Sequence, residues 1–499
     1  MKHAFRTLAA SAAILFALPA FAETFTVTFV QTNDIDRMDA AGDRGGFAKL
    51  AAVVNAERAK GGNVFFVHSG DTISPSLLSG IDKGKHIIDI LNQMNVDVMV
   101  PGNHEFDFGP EVFQERISEA KFPIVSANIV MPAGGGPANT TPTKIVEVGG
   151  IKIGFYGLTT EDTPEVSSPG DIVFTDSVET GIDTAADLRT EGADIVVAVV
   201  HTPVDVDFAL ARANAADIIL SGHDEHLMAY WDGKHALTES YSQADWVVAT
   251  DITVNREEAD GKVTVSWSPA FRLIDTTTVE PNPAIAKVVA TYNEQLDTAL
   301  GAVVGTTTTA LDSRRATVRG QEAAIGNLIA DAIRDSVGAD VGITNGGGIR
   351  ADTEYAAGTE LTGKDIFSEL PFGNKTVKLE VTGENIRAAL ENGFSQIETG
   401  AGRFPQVSGL TVTVDVNAPV GSRVTDVTVG GAPLDPAKIY TVATNDFMAG
   451  GGDGYTAFVG SNNLIAAADA TFMASQVIDY IKAAGSVSPA VEGRIVLNQ

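Results

Sequence analysis

Five short apolar segments of this chain each end in side chains of the types that bind metal ions. The segments have the composition of buried strands, and the strand ends of such sheets share one ligand-binding edge. The side chains are carboxylates, one amide and imidazoles, at Asp34, Asp36, Asp71, Asn103, His104, His201, His223, Glu225 and His226. Such a set suits a pair of borderline divalent cations. Two ions about 3.5–4 Å apart can polarise a phosphoryl group, ionise a bridging water and stabilise an in-line displacement.

Asp71 is the residue best placed to bridge two ions. It follows the turn Ser69-Gly70, and a carboxylate on a tight turn can reach both ions. A single histidine or aspartate after a strand more often caps a loop than binds a metal. Five such strand ends in one chain instead indicate a metal site.

The elements that must position these residues alternate along residues 23–275. Helical periodicity at Phe47–Lys60 and Ile87–Met94 separates predicted strands. This alternation is typical of an α/β fold with helices on both faces of the sheet. The predicted strands are Phe25–Thr32, Asn63–Val67, Val96–Val100, Ile195–Val200, Ile218–Leu220 and the antiparallel pair Val247–Val254 and Lys262–Trp267.

Composition narrows the class of partner. The 499 residues carry a formal net charge of −30, which repels nucleic-acid polymers and anionic membranes and leaves small molecules as partners. An anionic substrate then requires metal ions or clustered arginines at its site. With no cysteine, the chain has no disulfides and no thiolate metal site. We expect a monomer or weak dimer.

The first residues have the features of an export signal. Lys2 and Arg6 precede an apolar run over residues 8–18, and Ala20-Phe21-Ala22 forms a small-x-small cleavage site. The alternative is a membrane anchor, but the run is too short to span a bilayer. We therefore predict a signal peptide at residues 1–22 and a periplasmic or secreted protein without a membrane anchor.

In chain order, the strand-end motifs resemble those of calcineurin-type metallophosphoesterases, in their 5′-nucleotidase/UDP-sugar hydrolase branch. The resemblance implies one ion bound by Asp34, residue 36, Asp71 and residue 225. It implies a second ion bound by Asp71, Asn103, His201 and His223. The motifs are Thr32-Asn33-Asp34, Gly70-Asp71, Gly102-Asn103-His104-Glu105-Phe106-Asp107, the strand ending in His201, and Gly222-His223.

His104 and Asp107 match the catalytic pair of that family. By the resemblance, His104 donates a hydrogen bond or a proton to the phosphoryl group in the transition state, while Asp107 holds its ring. The alternative for Asp107 is a helix N-cap ahead of Pro110.

Four motifs follow residue 300: residues 326–332, Asn345-Gly346-Gly347-Gly348-Ile349-Arg350, Leu370-Pro371-Phe372-Gly373-Asn374 and residues 447–455. They resemble the nucleotide-binding motifs of the C-terminal domain of the same family. The resemblance implies that Phe372 and Phe447 stack on a base, and that Asn374 and Asp453 bind the base edge and the ribose. The implied substrate-binding residues are Arg315, Arg319, Asn345, Arg350, Phe372, Asn374, Phe447 and Asp453. Each motif is a weak signal by itself. A phenylalanine that follows a proline, such as Phe372, is more often a residue of the hydrophobic core than of a binding site.

Together these features predict a four-layer metallophosphoesterase sandwich at residues 23–280 and a second α/β nucleotide-binding domain at residues 302–499. A linker helix is predicted between them, at residues 281–301. The implied function is release of phosphate from nucleoside monophosphates with two divalent ions (Zn, Mn, Co or Mg). Alternatives are hydrolysis of nucleotide sugars, nucleoside di- or triphosphates or cyclic nucleotides, or a periplasmic nucleotide-binding protein with little turnover.

Two positions depart from the family pattern, and both concern the first ion. Asp36 stands where histidine is usual, and Glu225 stands at the second position of the usual His-x-His. His226 is the alternative ligand, by a shift of one residue. The exact ligand set is therefore left open by the sequence.

Overall fold

The computed structural model describes residues 21–40, 42–259, 262–467 and 470–498. None of the helices in these ranges combines the length and the apolar character needed to cross a bilayer. The predicted signal peptide, apart from Phe21 and Ala22 at the start of the first strand, lies outside the described residues and stays a prediction.

The N-terminal domain contains thirteen strands and seven α-helices among its described residues. The strands are β1 (Phe21–Thr32), β2 (Asn63–His68), β3 (Val98–Met99), β4 (Ile129–Val130), β5 (Thr143–Val148), β6 (Ile151–Thr159), β7 (Val173–Phe174), β8 (Ile195–His201), β9 (Ile218–Ser221), β10 (Leu227–Trp231), β11 (Ala236–Ser240), β12 (Trp246–Ala259) and β13 (Lys262–Asp275). The helices are α1 (Phe47–Ala59), α2 (Ser79–Asp82), α3 (Lys85–Met94), α4 (Pro110–Glu119), α5 (Thr163–Val166), α6 (Ser177–Thr190) and α7 (Val204–Arg212).

Two sheets pack face to face at the centre of this domain. One has the strand order β13-β12-β1-β2-β3, and the other has the order β10-β11-β9-β8-β6-β5. Apolar side chains of β1, β2, β6 and β8, including Phe29 and Phe155, fill the space between them. Helices α1, α3 and α4 cover the outer face of the first sheet, and α6 and α7 cover the second. The result is the predicted four-layer sandwich.

Parallel strands at the centre of each sheet bring the strand ends together. β1, β2 and β3 run parallel, and so do β6, β8 and β9. Their carboxyl ends lie at the same edge of the sandwich, which places the polar loops that follow them around one cavity.

Helix α8 (Pro283–Leu300) follows the N-terminal domain, in the region predicted as a linker. The Asn282 side chain accepts hydrogen bonds from the backbone N–H groups of Ala284 and Ile285, which is a regular N-cap. Ile285, Val289 and Leu296 are buried in the same apolar core as α1 and α3. The helix thus packs along the N-terminal domain, and its Asp297 also pairs with Lys364 of the C-terminal domain at 2.6 Å.

The C-terminal domain has fourteen strands and six α-helices within the described ranges. The strands are β14 (Val303–Thr307), β15 (Leu311–Asp312), β16 (Val341–Asn345), β17 (Glu354–Tyr355), β18 (Glu360–Thr362), β19 (Thr376–Thr382), β20 (Pro405–Ser408), β21 (Leu410–Asp415), β22 (Val424–Val429), β23 (Ala432–Pro433), β24 (Ile439–Asn445), β25 (Asn462–Ile465), β26 (Ser486–Val487) and β27 (Ile495–Asn498). The helices are α9 (Arg315–Val318), α10 (Ala324–Val337), α11 (Gly363–Glu369), α12 (Gly383–Gly393), α13 (Asp446–Ala449) and α14 (Met473–Ala484).

Its main sheet has the order β20-β16-β24-β19-β25, and β16 runs parallel to β24. These two central strands therefore end at the same edge. The residues that follow them are three-ten turns and short helices, including the turn Gly452–Gly454. Among the described residues, each of the five buried apolar cores belongs to one domain alone.

Candidate metal centre and nucleotide cleft

The turn after β2 carries the central carboxylate of the site. Gly70 and Asp71 both adopt positive φ angles, of 84° and 55°. A Cβ on Gly70 would lie 2.8 Å from the backbone nitrogen of Gly102 and 2.8 Å from Nδ1 of His201. Only glycine permits this approach of three loops. The close contact brings Asp71 against the loops that follow β3 and β8.

Asp71, His201 and His223 form a compact set of ligand types. The Asp71 Oδ2 atom lies 3.0 Å from His201 Nε2, and His201 Nε2 lies 3.3 Å from His223 Nδ1. Asn103 Oδ1 is 3.0 Å from the same His223 nitrogen. His201 donates through Nδ1–H to the Ser69 carbonyl at 2.8 Å, which leaves Nε2 directed at the cluster.

A polar cavity beside this cluster collects the predicted ligands of the first ion. Asp34 and Asp36 are buried, whereas Glu225 is exposed to solvent. The Asp34 Oδ2 atom accepts hydrogen bonds from the Asn33 amide and from the His223 backbone N–H, at 2.7 and 3.0 Å. The cavity is lined by Asp34, Asp36, Asp71, Ser74, Pro75, Asn103, His104, His223, Glu225, Gln243 and Arg350.

His226 lies apart from this cavity. Its side chain is 55% exposed, and its Nδ1 is 3.7 Å from Oε2 of the buried Glu239. The structure thus brings Glu225, not His226, to the predicted first ion site.

The charges of the site fit divalent cations. The three ligand atoms offered by Asp71, His201 and His223 lie within 4.8 Å of one another. Burial raises the pKa of Asp34, and it raises the pKa of Asp36 to about 6. Burial and the neighbouring His201 ring lower the pKa of His223. Burial thus opposes ionisation of Asp34 and Asp36 and protonation of His223. A bound cation stabilises the ionised carboxylates and the neutral imidazole, so these residues fit a divalent metal ion.

His104 and Asp107 form a hydrogen-bonded pair at the rim of the same cluster. His104 Nδ1–H donates to Asp107 Oδ2 at 2.7 Å, and the backbone N–H of His104 donates to Asp71 Oδ1 at 2.8 Å. Burial opposes the charged ring, but Asp107 and Asp71 outweigh it and raise the pKa of His104 to about 9. The free Nε2 atom lies 4.0 Å from Asp71 Oδ2 and carries a proton that it can donate.

Two residues that hold the ligand loops had no role assigned from the sequence. Glu105 is buried and accepts hydrogen bonds from the backbone N–H groups of Asp71, Thr72, Ile73 and Gly102. Gln243 donates to Asp36 Oδ1 at 2.6 Å and accepts from two backbone N–H groups of the same loop. Glu105 lies within the motif that contains Asn103 and His104, so its position in the sequence could have indicated a role. No motif in the sequence contains Gln243.

A cleft joins the His104–Asp107 pair to the C-terminal domain. Both domains contribute to its walls. The lining residues are Asn103, His104, Asp107, Val166, Ser168, Arg319, Asn345, Gly347, Gly348, Arg350, Phe372, Asn374, Gly402, Phe447 and Asp453. Seven of the eight predicted substrate-binding residues are thus brought together in one cleft.

Arg315 is the eighth, and its side chain is exposed outside the lining of the cleft. Arg319 lies inside and is 9% exposed. Burial, together with repulsion from Arg350 and Arg315, lowers the pKa of Arg319 to about 10. Guanidinium groups that repel one another in this way favour an anion between them.

The aromatic pair differs in its surroundings. Phe372 lies between the two domains: its ring is stacked on His104 with centroids 6.0 Å apart, and the Arg350 guanidinium lies 5.5 Å from its centroid. Phe447 packs against the turn that carries Asp453. The Asp453 Oδ2 atom accepts a hydrogen bond from Asn345 Nδ2 at 2.6 Å, at the edge where β16 and β24 end.

Comparisons with known proteins agree with this two-domain site. The calcineurin-like phosphoesterase family matches residues 27–226, and the family described as 5′-nucleotidase, C-terminal domain matches residues 303–460. The first match contains all the predicted metal ligands. The second contains every predicted substrate-binding residue.

Relatives and a solved structure extend the likeness to most of the chain. The trifunctional nucleotide phosphoesterase YfkN of Bacillus subtilis is 31% identical, over 94% of this chain and 35% of that protein. A snake venom 5′-nucleotidase of Naja atra is 28% identical over 95% of this chain and 99% of its own length. A 5′-nucleotidase precursor from Thermus thermophilus superposes with a TM-score of 0.78 at 29% identity, covering 95% and 99% of the two chains. The chain therefore belongs to the 5′-nucleotidase family of metal-dependent phosphoester hydrolases, in which a calcineurin-like phosphoesterase domain precedes a 5′-nucleotidase C-terminal domain.

Proposed function

We propose that this protein is an exported 5′-nucleotidase that releases phosphate from nucleoside monophosphates with two divalent metal ions. The observation that carries the proposal is the shared cleft. It joins the His104–Asp107 pair and Asn103 of one domain to the aromatic, amide and arginine side chains of the other. One molecule with a phosphate at one end and a base at the other matches this arrangement.

Different residues of the cleft contact different parts of the proposed substrate. Arg319 and Arg350 attract the phosphate, and Phe372 and Phe447 offer apolar faces to the base. Asp453 is positioned to accept hydrogen bonds from ribose hydroxyls. His104 holds a proton at Nε2, directed to the phosphoryl oxygens, while Asp107 keeps the ring in place.

Two ion sites complete the proposal. Asp34, Asp36, Asp71 and Glu225 would hold the first ion, and Asp71, Asn103, His201 and His223 would hold the second. The ions would supply Lewis acidity and a hydroxide nucleophile at neutral pH. An all-oxygen first site favours Mg²⁺ or Mn²⁺, whereas the imidazoles of the second favour Zn²⁺ or Co²⁺.

We expect Glu225→Ala to lose the first ion while His226→Ala retains both, because Glu225 alone of the two lines the ion cavity. Metal stoichiometry by elemental analysis, after reconstitution with Mn²⁺ and Zn²⁺, measures this directly. His226→Ala is the matched control, since the two residues are adjacent and both exposed. Loss of one ion in His226→Ala with full occupancy in Glu225→Ala would contradict the all-oxygen site.

The function is tested by measuring phosphate release from AMP by the purified chain, with Mn²⁺, Co²⁺ or Zn²⁺ added. UDP-glucose, ATP, a cyclic nucleotide and p-nitrophenyl phosphate complete the panel. A higher kcat/KM for AMP than for the others supports the proposal. Preference for another nucleotide overturns the assigned substrate, and nucleotide binding without any phosphate release identifies a binding protein.

A further inference from the structure

The segment that follows β6 is fixed beside the catalytic pair. Its turn α5 (Thr163–Val166) starts from Thr160, whose backbone N–H donates to the carbonyl of His201 at 2.8 Å. The Thr163 hydroxyl donates back to the Thr160 carbonyl at 2.6 Å, and the Ser167 N–H donates to the Thr163 carbonyl at 2.9 Å. Thr163 and Ser167 are both buried. The segment is therefore anchored through Thr160 to the end of strand β8, which carries His201.

Ser167 uses this position to contact Asp107. Its hydroxyl donates to Asp107 Oδ1 at 2.7 Å, while the other oxygen, Oδ2, accepts the proton of His104 Nδ1 at 2.7 Å. The Asp107 side chain is 6% exposed, and within the described ranges these are its two side-chain hydrogen bonds. Each carboxylate oxygen thus has one donor, and the two donors define the orientation of the carboxylate plane.

We propose that Ser167 is a positioning residue for the reaction, acting through Asp107 on His104. Rotation of a carboxylate about its Cβ–Cγ bond is a soft motion, and a single hydrogen bond to an imidazole does not stop it. With Ser167 as a second donor, Asp107 holds the imidazole ring in the direction that aims Nε2 at the phosphoryl group. This extends the pair to a chain of three side chains.

The same segment also contacts the C-terminal domain. Val166 and Ser168, on either side of Ser167, line the nucleotide cleft. Turn α5 lies against the three-ten turn Gly452–Gly454, which carries Asp453. The residue that holds Asp107 is therefore placed where the two domains meet.

The inference rests on the phosphoesterase role of His104 and not on the choice of nucleotide. We expect Ser167→Ala to lower kcat about 10-fold for both AMP and p-nitrophenyl phosphate with little change in KM. Losing a hydrogen-bond partner that orients a metal ligand typically costs about 10–100-fold, which sets the scale for this pair. Ser167→Thr keeps the hydroxyl on extended backbone and is expected to restore most of the rate.

A double-mutant cycle separates positioning from general structural support. In a His104→Ala background, Ser167→Ala should add almost nothing, because the group on which it acts is gone. Ser126→Ala is the matched control, since Ser126 is a buried serine of the same domain whose hydroxyl has no hydrogen-bond partner among the described residues. Its kcat should equal that of the unaltered protein.

The full-length protein is used throughout, with metal content and melting temperature measured for each variant. The proposal would be overturned if Ser167→Ala lowered kcat by the same factor in the unaltered protein and in the His104→Ala variant. An unchanged kcat in the single variant Ser167→Ala would overturn it as well. Absence of turnover in the unaltered protein would instead reject the proposed function, so the two failures are distinguishable.

Discussion

We expect His104→Ala to lower kcat by about 10²–10⁴-fold while both metal ions stay bound, since general acid–base groups contribute on that scale. The structure supports a role separate from metal binding. The His104 side chain faces Asp107 through Nδ1, and its backbone N–H, which alanine retains, supports Asp71. Steady-state kinetics and elemental analysis on the same preparation measure both quantities.

The pH dependence of kcat provides an independent check. His104 can donate a proton only below its pKa, so its contribution is lost as the pH rises through that value. In the metal-free protein the value is about 9. Bound divalent cations repel the imidazolium and lower it, so the alkaline limb of kcat is expected below pH 9. His104→Ala should lack this limb, and unchanged turnover at full metal occupancy would remove His104 from the mechanism.

The second large effect concerns the aromatic pair, for which we expect unequal behaviour. Loss of a stacked aromatic costs about 1–3 kcal/mol per base, or roughly 5- to 150-fold in binding. Phe447→Ala should therefore raise KM for AMP on this scale and leave p-nitrophenyl phosphate hydrolysis nearly intact. Phe372→Ala should weaken AMP binding as well, but it should also slow the small ester.

The difference follows from the contacts of Phe372. Its ring stacks on His104 and lies against Arg350, so its removal disturbs groups that every phosphate ester uses. Phe447 lies against the turn that carries Asp453 instead. Measuring kcat and KM of the two variants with AMP and with p-nitrophenyl phosphate tests this difference. Equal losses on both substrates from both variants would show that these rings are core residues and that the base binds elsewhere.

The clustering of Asp71, His201 and His223 was largely predictable because these residues follow buried strands. His201 is the last residue of β8, and Asp71 stands three residues beyond the end of β2. An apolar run marks such a strand locally, and parallel order then forces the ends together. Strand lengths were less predictable: β3 covers only Val98–Met99 of the predicted Val96–Val100. Strand β13 continues to Asp275, well beyond the predicted end at Trp267.

Contacts between distant parts of the chain could not be predicted. Gln243 reaches Asp36 across 207 residues, and Ser167 reaches Asp107 across 60. Neither serine nor glutamine carries a local pattern that points to its partner. The turn of His226 toward Glu239 and the exposure of Arg315 likewise depend on backbone geometry in folded loops. Residue types at strand ends predict a site, but only tertiary structure shows which neighbours hold it.

The separation of the apolar cores has a consequence for how the protein melts. Because no core in the described part of the chain is shared, each domain can unfold as its own cooperative unit, and a calorimetric scan of the ligand-free protein is expected to contain two overlapping transitions. By the proposed function, a non-hydrolysable nucleotide analogue would contact both domains in the cleft and would stabilise only the state in which both are folded. Saturation with it should merge the two transitions into one at higher temperature, so the ligand supplies the cooperativity that the apolar cores do not provide.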